Sequence, residues 1–239
     1  MIYLDLHTHT VVSGHAYSTL NENIAAAREH GLTIYGVSDH TPKMPGSTHL
    51  FYFRNLHVVP EFVQGIRVLK GAELNVLDVE GHVDLDESTL KMLDYAIASL
   101  HVPCFGTEHT EAENTQAMIN AVQNPYIKIL GHPDDSRYPI DQEAVVLACK
   151  ATHTLVEVNN SSMNPKSSRV GGRENMLGML RYCKQHGVPV LFGSDAHYCD
   201  AIGRFQRCEE VCAAAEFPAS LIVNSSPELI FEYFNLKVE

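Results

Sequence analysis

Three features are scarce or missing in this sequence, and each argues against a class of protein. No stretch reaches about 18 consecutive apolar residues, the length that a membrane-spanning helix needs, so no membrane partner is expected. Lysine and arginine number 17 against 29 acidic residues, and the net charge of −12 argues against a general nucleic-acid-binding surface. The six cysteines form no Cys-x-x-Cys pair, which favours packed thiols over a metal or redox role.

The first residues also lack the basic start and the long apolar run of a signal peptide, since they already contain Asp5, His7 and His9. We therefore expect a cytoplasmic protein. A hydrophobic content of 45% with 19% charged residues is ordinary for a globular chain. Because no linker divides the sequence, residues 1–239 are predicted to form a single domain.

Short apolar runs alternate with helical patterns along the whole chain. The apolar runs predicted as barrel strands are 2–6, 33–38, 67–71, 95–100, 127–130, 155–158 and 188–192. Helices are predicted over 18–30, 87–93, 112–122, 141–151, 173–186, 204–216 and 227–235, with a long loop over 41–57 and a hairpin over 75–85. This α/β order favours a closed barrel, although an open doubly wound sheet would give similar local patterns.

Side chains that can bind a metal ion follow six of the seven predicted strands. They are His7 with His9, His40, Glu73, His101, His132, and Asp195 with His197. A barrel brings the carboxyl ends of its strands to one rim, where these residues would meet, whereas an open sheet would spread them along a line. Their placement therefore favours the barrel and predicts a metal centre at its rim.

The number of donors indicates more than one ion. Residues two apart in a strand point the same way, so His7 and His9 would present two imidazoles to one point. With His15, which follows after a short polar link, nine donors are available, and a single four- or five-coordinate ion cannot use nine. Imidazole and carboxylate without thiolate favour Zn²⁺, Mn²⁺ or Fe, and two or three ions fit best.

Eight short motifs then point to a family. They are Asp5-Leu6-His7-Thr8-His9-Thr10, Gly14-His15-Ala16-Tyr17-Ser18, Ser38-Asp39-His40, Gly71-Ala72-Glu73, Ser99-Leu100-His101, Gly131-His132-Pro133, Glu157-Val158-Asn159-Asn160-Ser161-Ser162 and Gly193-Ser194-Asp195-Ala196-His197. Together they resemble the PHP (polymerase and histidinol phosphatase) superfamily, and within it the YcdX-type phosphatases. The resemblance covers essentially the full length of the chain.

The resemblance implies a distorted seven-stranded (β/α)7 TIM-like barrel with three zinc ions, Mn²⁺ or Fe being alternatives at one or more sites. It places the first ion on His7, His9, Glu73 and Asp195, the second on Glu73, His101 and His132, and the third on His15, His40 and His197. Glu73, Asp195 and His197 are also the predicted catalytic residues. The implied activity is hydrolysis of a small-molecule phosphoester, most simply a monoester, by a hydroxide that the ions activate.

A loop after the strand at 155–158 should lie at the same rim, and it is rich in serine and basic residues. We hypothesise that Arg169, helped by Arg173, Asn159 or Asn160, binds the phosphate or the leaving group. Extended nucleic acid is not an expected partner, because the chain is acidic and lacks a groove of interleaved aromatic and basic residues.

Two other enzyme classes compete with this interpretation. An amidohydrolase barrel also begins with His-x-His and ends with an aspartate, but it commonly carries a bridging lysine where this chain has Glu73. A metal-dependent nuclease or phosphodiesterase is the second alternative, because some members of the superfamily trim DNA. The sequence is compatible with a homo-oligomer.

Overall fold

The computed structural model describes residues 1–238. Its strands are β1 (Leu4–Asp5), β2 (Ile34–Val37), β3 (Phe62–Val63), β4 (Ile66–Asn75), β5 (Tyr95–Ser99), β6 (Ile127–Leu130), β7 (Leu155–Asn159) and β8 (Val190–Gly193). Seven of them are parallel and lie in the order β1-β2-β4-β5-β6-β7-β8, while β3 pairs antiparallel with β4. The result is a nearly closed (β/α)7 TIM-like barrel, which confirms the predicted fold class.

Helices connect the strands and surround the barrel. They are α1 (Leu20–Glu29), α2 (Leu50–Asn55), α3 (Glu87–Leu90), α4 (Val102–Phe105), α5 (Glu111–Ala121), α6 (Gln142–Thr152), α7 (Gly172–His186), α8 (Gln206–Ala214) and α9 (Pro227–Phe234). The threonines before α1 and α5 each form a capping box with a glutamate three residues later, which fixes where these helices begin. Within residues 1–238, we find no helix with the length and apolarity needed to cross a membrane.

Most predicted elements are present, and the exceptions lie next to the rim. The strand predicted over 67–71 continues as β4 to Asn75, so Glu73 lies inside the strand and not beyond its end. The loop predicted over 41–57 was wrong in part, because it contains α2. The hairpin predicted over 75–85 is reduced to a single bridge between Val76 and Val83.

The barrel interior is apolar at one end and polar at the other. Leucine and isoleucine side chains from all seven parallel strands form one buried cluster, which α9 covers from below. On β4 the residues that share the inner face, two apart in sequence, are Leu69, Gly71, Glu73 and Asn75. The apolar floor ends at Gly71, and Glu73 begins a polar layer at the carboxyl end.

Strands β1 and β8 meet at a seam, which we define as the junction of residues 3–9 with residues 192–196. No ladder of strand pairs is formed there among the described residues. At the carboxyl end, the Asp195 amide donates to the His7 carbonyl at 2.8 Å and the His9 amide donates to the Ala196 carbonyl at 2.9 Å. The seam therefore brings the two ends of the predicted ligand set together.

At its other end the seam is held by one buried side chain, Asn224. Its Nδ2 donates to the carbonyl oxygens of Leu4 at 3.1 Å and Phe192 at 2.8 Å, and its Oδ1 accepts from the Phe192 amide at 2.6 Å. The Tyr3 amide donates to the Asn224 carbonyl at 2.7 Å. The amide of Asn224 thus supplies the hydrogen bonds that a neighbouring strand would otherwise supply.

Candidate metal centre

Glu73 lies at the middle of the candidate site, fully buried on the inner face of β4. Its Oε1 lies 2.9 Å from His132 Nε2, 3.2 Å from His101 Nε2 and 3.3 Å from His7 Nε2. The Ser99 hydroxyl donates to the same oxygen at 2.7 Å and fixes the orientation of the carboxylate. Four side chains, which lie in or just after β1, β5 and β6, are therefore directed at one oxygen.

The second oxygen of Glu73 faces a different pair of imidazoles. Oε2 lies 2.8 Å from His40 Nδ1 and 3.4 Å from His9 Nε2. The two imidazoles stack with their centroids 4.3 Å apart. Glu73 consequently has one oxygen for each of two imidazole groups, which is the arrangement that a carboxylate bridging two ions requires.

Three groups of donor atoms are close enough to hold a cation, since the atoms of each group lie within 4.8 Å of one another. The groups are His7 with His9 and Asp195, His40 with Glu73 and His101, and His9 with His40 and His197. The second and third groups differ from the sets that the family resemblance implies, because His40 takes the place of His132 in the second and His9 takes the place of His15 in the third. His15 is exposed at the mouth, with its ring 4.8 Å from His197 and 5.0 Å from His40.

Several buried donor atoms at this centre have no hydrogen-bond partner in the described part of the chain, which is expected of atoms that bind a cation. Within residues 1–238, five buried side-chain atoms at this centre make no hydrogen bond: His7 Nε2, His9 Nε2, His40 Nδ1, His101 Nε2 and Glu73 Oε2. Burial lowers the pKa of His101 to about 4, and burial together with the neighbouring imidazoles lowers the pKa of His9 well below its usual value. Both rings are therefore neutral near pH 7 and have a lone pair to donate.

The two carboxylates of the set are ionised. Burial alone would raise the pKa of Glu73, but the imidazoles around it hold that pKa well below the usual range. Burial is likewise outweighed at Asp195 by the guanidinium of Arg169 and by His7, and the Asp195 pKa is also held well below its usual range. The neutral imidazoles of His9 and His101 and the ionised carboxylates of Glu73 and Asp195 are in the ligand states that zinc and manganese need.

Two residues of the site occupy the left-handed region of the backbone, where residues other than glycine are uncommon. His132 has a φ of 29° and Asp195 has a φ of 53°. Hydrogen bonds hold both conformations, because the His132 amide donates to Glu157 Oε2 at 2.7 Å and the Asp195 amide donates across the seam. Strain of this kind concentrates at functional sites, where it aims a side chain.

Glu157 is a site residue for which the sequence predicted no role. It is fully buried, and its Oε1 lies 2.6 Å from His7 Nδ1. A Cβ at position 193 would lie 1.8 Å from this oxygen, so Gly193 leaves the space that the carboxylate occupies. A carboxylate on the far nitrogen of a ligating imidazole fixes its tautomer and increases its basicity.

A signal for Glu157 was present in the sequence. On β7, residues Leu155, Glu157 and Asn159 share one face, and Leu155 belongs to the barrel interior. A charged residue on an inward face is almost never fully buried without a partner, so its position alone predicted a partner at the rim.

Other outer contacts fix the orientation of single imidazoles. Asn75 Oδ1 lies 2.7 Å from His101 Nδ1, and Ser13 Oγ lies 3.2 Å from His9 Nδ1. The Ser13 hydroxyl donates in turn to Asp39 at 2.7 Å. The imidazoles are thus held in place by hydrogen bonds on the side away from the donor groups.

Replacing Glu157 with glutamine is expected to weaken metal binding by about tenfold, because the neutral amide no longer increases the basicity of His7. Competition with a zinc chelator measures the affinity. Asp78→Asn is the matched control, since Asp78 Oδ2 lies 2.8 Å from Nδ1 of the exposed His82, away from the site. An unchanged zinc affinity in Glu157→Gln would contradict this role.

A cavity of about 330 Å³ opens above the candidate metal centre. Its lining includes the donor residues His15, His40, His101, His132, Asp195 and His197. Met44, Val102 and Pro103 contribute an apolar side, and Arg137 and Arg169 contribute cations. The cavity therefore joins the donor groups to a binding space for a small organic anion.

The structure brings only part of the predicted substrate-binding set to this cavity. Arg169 lines it, and Asn159 lies beneath, with its Nδ2 donating to Asp195 Oδ2 at 3.2 Å. Arg173 is exposed in the first turn of α7 and does not line the cavity. Asn160 points away from it, because its Oδ1 accepts from the backbone amide of Arg207 at 3.0 Å.

Comparisons with known proteins point to one family. Residues 5–229 match the family model described as the PHP domain. A probable phosphatase of Clostridium novyi is 45% identical over 234 residues, covering 98% of this chain and 95% of that protein. A probable phosphatase of a Thermoanaerobacter species is 46% identical over 236 residues, covering 99% and 96%.

One solved structure with the same fold is histidinol phosphate phosphatase of Lactococcus lactis subsp. lactis, in complex with zinc, L-histidinol and phosphate. It superposes with a TM-score of 0.62 at 18% sequence identity, covering 90% of this chain and 94% of that chain. At that level of identity the likeness shows the fold.

Proposed function

This chain belongs to the PHP domain family, and from that membership we propose that it is a metal-dependent phosphatase that hydrolyses small phosphomonoesters. The observation that carries the proposal is the set of three overlapping donor groups around Glu73 and His9, at the base of a cavity that Arg169 lines. The names of the two relatives support a phosphoric ester hydrolase.

The proposed centre holds three ions, with zinc as the expected metal. The proposed ligands are His7, His9 and Asp195 for the first ion, Glu73 shared between the first and the second, His101 and His132 for the second, and His15, His40 and His197 for the third. Zinc is supported by the donor chemistry and by the zinc in the Lactococcus lactis enzyme, which has the same fold. Mn²⁺ or Fe at one or more positions would suit the same donors.

When bound, such ions would supply Lewis acidity, lower the pKa of water and offset the charge of a phosphoryl group. The residues of this chain provide the geometry. Glu73, Asp195 and His197, the proposed catalytic residues, lie at the base of the cavity or directly beneath it, and Glu157 holds His7 in one tautomer. Asn159 holds the Asp195 carboxylate from below.

Substrate recognition is proposed to depend on Arg169. Its guanidinium can bind a phosphate oxygen with a charge-assisted hydrogen bond, in a cavity that Met44, Val102 and Pro103 also line. The size of the cavity suits a small phosphoester. Because no lysine is present among the described residues that line it, the cavity also lacks the bridging lysine of an amidohydrolase.

The proposal is tested by phosphate release from sugar phosphates, nucleotides, amino-alcohol phosphates and an aryl phosphate, with metal counted in the same protein. We expect turnover of at least one monoester, three ions per chain, and loss of activity in a chelator that returns when zinc is added. Failure to release phosphate with any of zinc, manganese or iron would contradict it.

The same screen separates the competing enzyme classes. An aryl phosphodiester and a short oligonucleotide test the nuclease or phosphodiesterase alternative, and faster turnover of either than of any monoester would favour it. Turnover of an amide or a lactone without phosphate release would favour an amidohydrolase.

A further inference from the structure

Asp195 divides its two oxygens between the donor groups and a cationic side chain. Oδ1 lies 3.2 Å from His9 Nε2 and 3.7 Å from His7 Nε2, within the first donor group. Oδ2 accepts from Arg169 Nη1 at 2.7 Å and from Asn159 Nδ2 at 3.2 Å. The aspartate can therefore hold a cation through one oxygen while the other stays bonded to Arg169.

The guanidinium of Arg169 is anchored by one nitrogen, Nη1. The side chain is 15% exposed, and Nη1 contacts Asp195 Oδ2, Ser162 Oγ at 3.3 Å and Asn159 Oδ1 at 3.4 Å. Among residues 1–238, Nε and Nη2 donate to no acceptor, and the residue lines the cavity. The guanidinium thus keeps one edge fixed on Asp195 and another edge free for an anion.

Arg169 and Glu157 are expected to have opposite effects on the affinity of the site for a cation. Glu157 increases the electron density on His7 and so favours a cation. Arg169 draws negative charge from Asp195 and adds a positive charge next to the place of a cation, so it disfavours one. An anion on the free edge of Arg169 would offset that charge.

From this we infer that Arg169 couples substrate binding to metal binding. Its guanidinium lowers the affinity of the donor groups for a cation until a phosphate group neutralises its charge. The inference rests on the proposed function, because it takes phosphate as the anion of the cavity. Coupling of this kind is reciprocal, so the cation must strengthen phosphate binding through Arg169 by the same factor. The residue would then act as both a substrate contact and a restraint on metal retention.

Arg137 provides a matched control in the same cavity. It is paired through Nε and Nη2 with Asp135, at 2.8 and 2.6 Å, and Asp135 is not among the donor groups. Replacing Arg137 removes a cavity cation without changing any partner of a donor carboxylate. General electrostatic effects of lost charge therefore appear in both variants, while the effect through Asp195 appears only in Arg169 variants.

The test measures zinc affinity by chelator competition, with and without inorganic phosphate, in the whole protein and in Arg169→Gln, Arg169→Lys and Arg137→Gln. Arg169→Gln is expected to bind zinc about tenfold more tightly, the scale on which outer partners of ligands change affinity. Phosphate should strengthen zinc binding less in this variant than in the unchanged protein. Arg169→Lys keeps the charge and should restore most of the restraint, and Arg137→Gln should show only the smaller effect of a lost charge on zinc affinity.

Kinetics with an aryl phosphate add a second readout, in which Arg169→Gln should raise KM. A residue that only supports the fold would lower metal affinity and activity together, so weaker or unchanged zinc binding in Arg169→Gln overturns the inference. Equal phosphate dependence in all variants also overturns it. Arg169→Met, which keeps the packed stem, replaces Arg169→Gln if the latter does not fold.

Failure of the inference and failure of the proposed function give different results. If the zinc affinities shift as expected but no phosphoester is hydrolysed, the coupling stands and the phosphatase assignment is wrong. If phosphoesters are hydrolysed while zinc affinity is unaffected by Arg169, the coupling is wrong and the phosphatase assignment stands.

Discussion

Glu73→Gln is expected to reduce phosphate release by a factor on the order of a thousand or more, the scale seen when a shared catalytic group is removed. The reason is that both Glu73 oxygens face imidazole nitrogens of the proposed centre, at distances from 2.8 to 3.4 Å. Glutamine keeps the shape but loses the negative charge, so at least one proposed ion should be lost with the activity. Phosphate release and metal content per chain measure the two effects.

The matched control for this substitution is Glu143→Gln. Glu143 Oε1 lies 2.8 Å from His186 Nε2, so this pair also joins a glutamate to a histidine. Neither residue belongs to the donor groups. Its replacement should leave phosphate release and metal content unchanged. If Glu73→Gln kept full activity and full metal content, Glu73 would not be a ligand of the proposed centre.

Asn224→Ala is expected to lower the free energy of unfolding by about 3 kcal/mol, because buried backbone groups of Leu4 and Phe192 lose their hydrogen-bond partner. Each such group costs about 1–3 kcal/mol when it is left unsatisfied away from water. Denaturant unfolding in the presence of a chelator measures the change without a contribution from bound metal.

Asn120→Ala is the control for this second substitution. Asn120 is half-buried, and its Nδ2 donates to the Val79 carbonyl at 2.8 Å, outside the seam. Its replacement should cost about 1 kcal/mol, the value of an ordinary hydrogen bond. An equal loss in the two variants would show that Asn224 has no special role in closing the barrel.

The sequence predicted those parts of the structure that repeat along the chain. β6 has the predicted bounds of 127–130, and the order of strands and helices that implied a barrel is confirmed. The residues predicted as ligands do converge, because strands of a barrel end at one rim whatever their separation in sequence. Their identity as ligands stays a prediction that metal counting tests.

The sequence predicted much less of what holds that site in place. Glu157 and His7 are 150 positions apart, and no local pattern pairs them. Asn224 lies outside every helix and strand predicted from the sequence. Its side chain bonds to Leu4 and Phe192, which lie in or next to strands near opposite ends of the chain. Arg173 and Asn160 were named for their position in a loop, whereas side-chain direction decides which loop residues reach a cavity.

The seam between β1 and β8 also determines what bound ions would do for the protein besides chemistry. His7 and His9 lie on one side of it, Asp195 and His197 lie on the other, and within residues 1–238 no strand ladder joins the two sides. A cation bound by residues from both sides of the seam would bind only the closed barrel, so its binding free energy would add to the stability of that form. Metal loading would then stabilise the closed barrel, and a chain deprived of zinc would open first at the proposed metal centre.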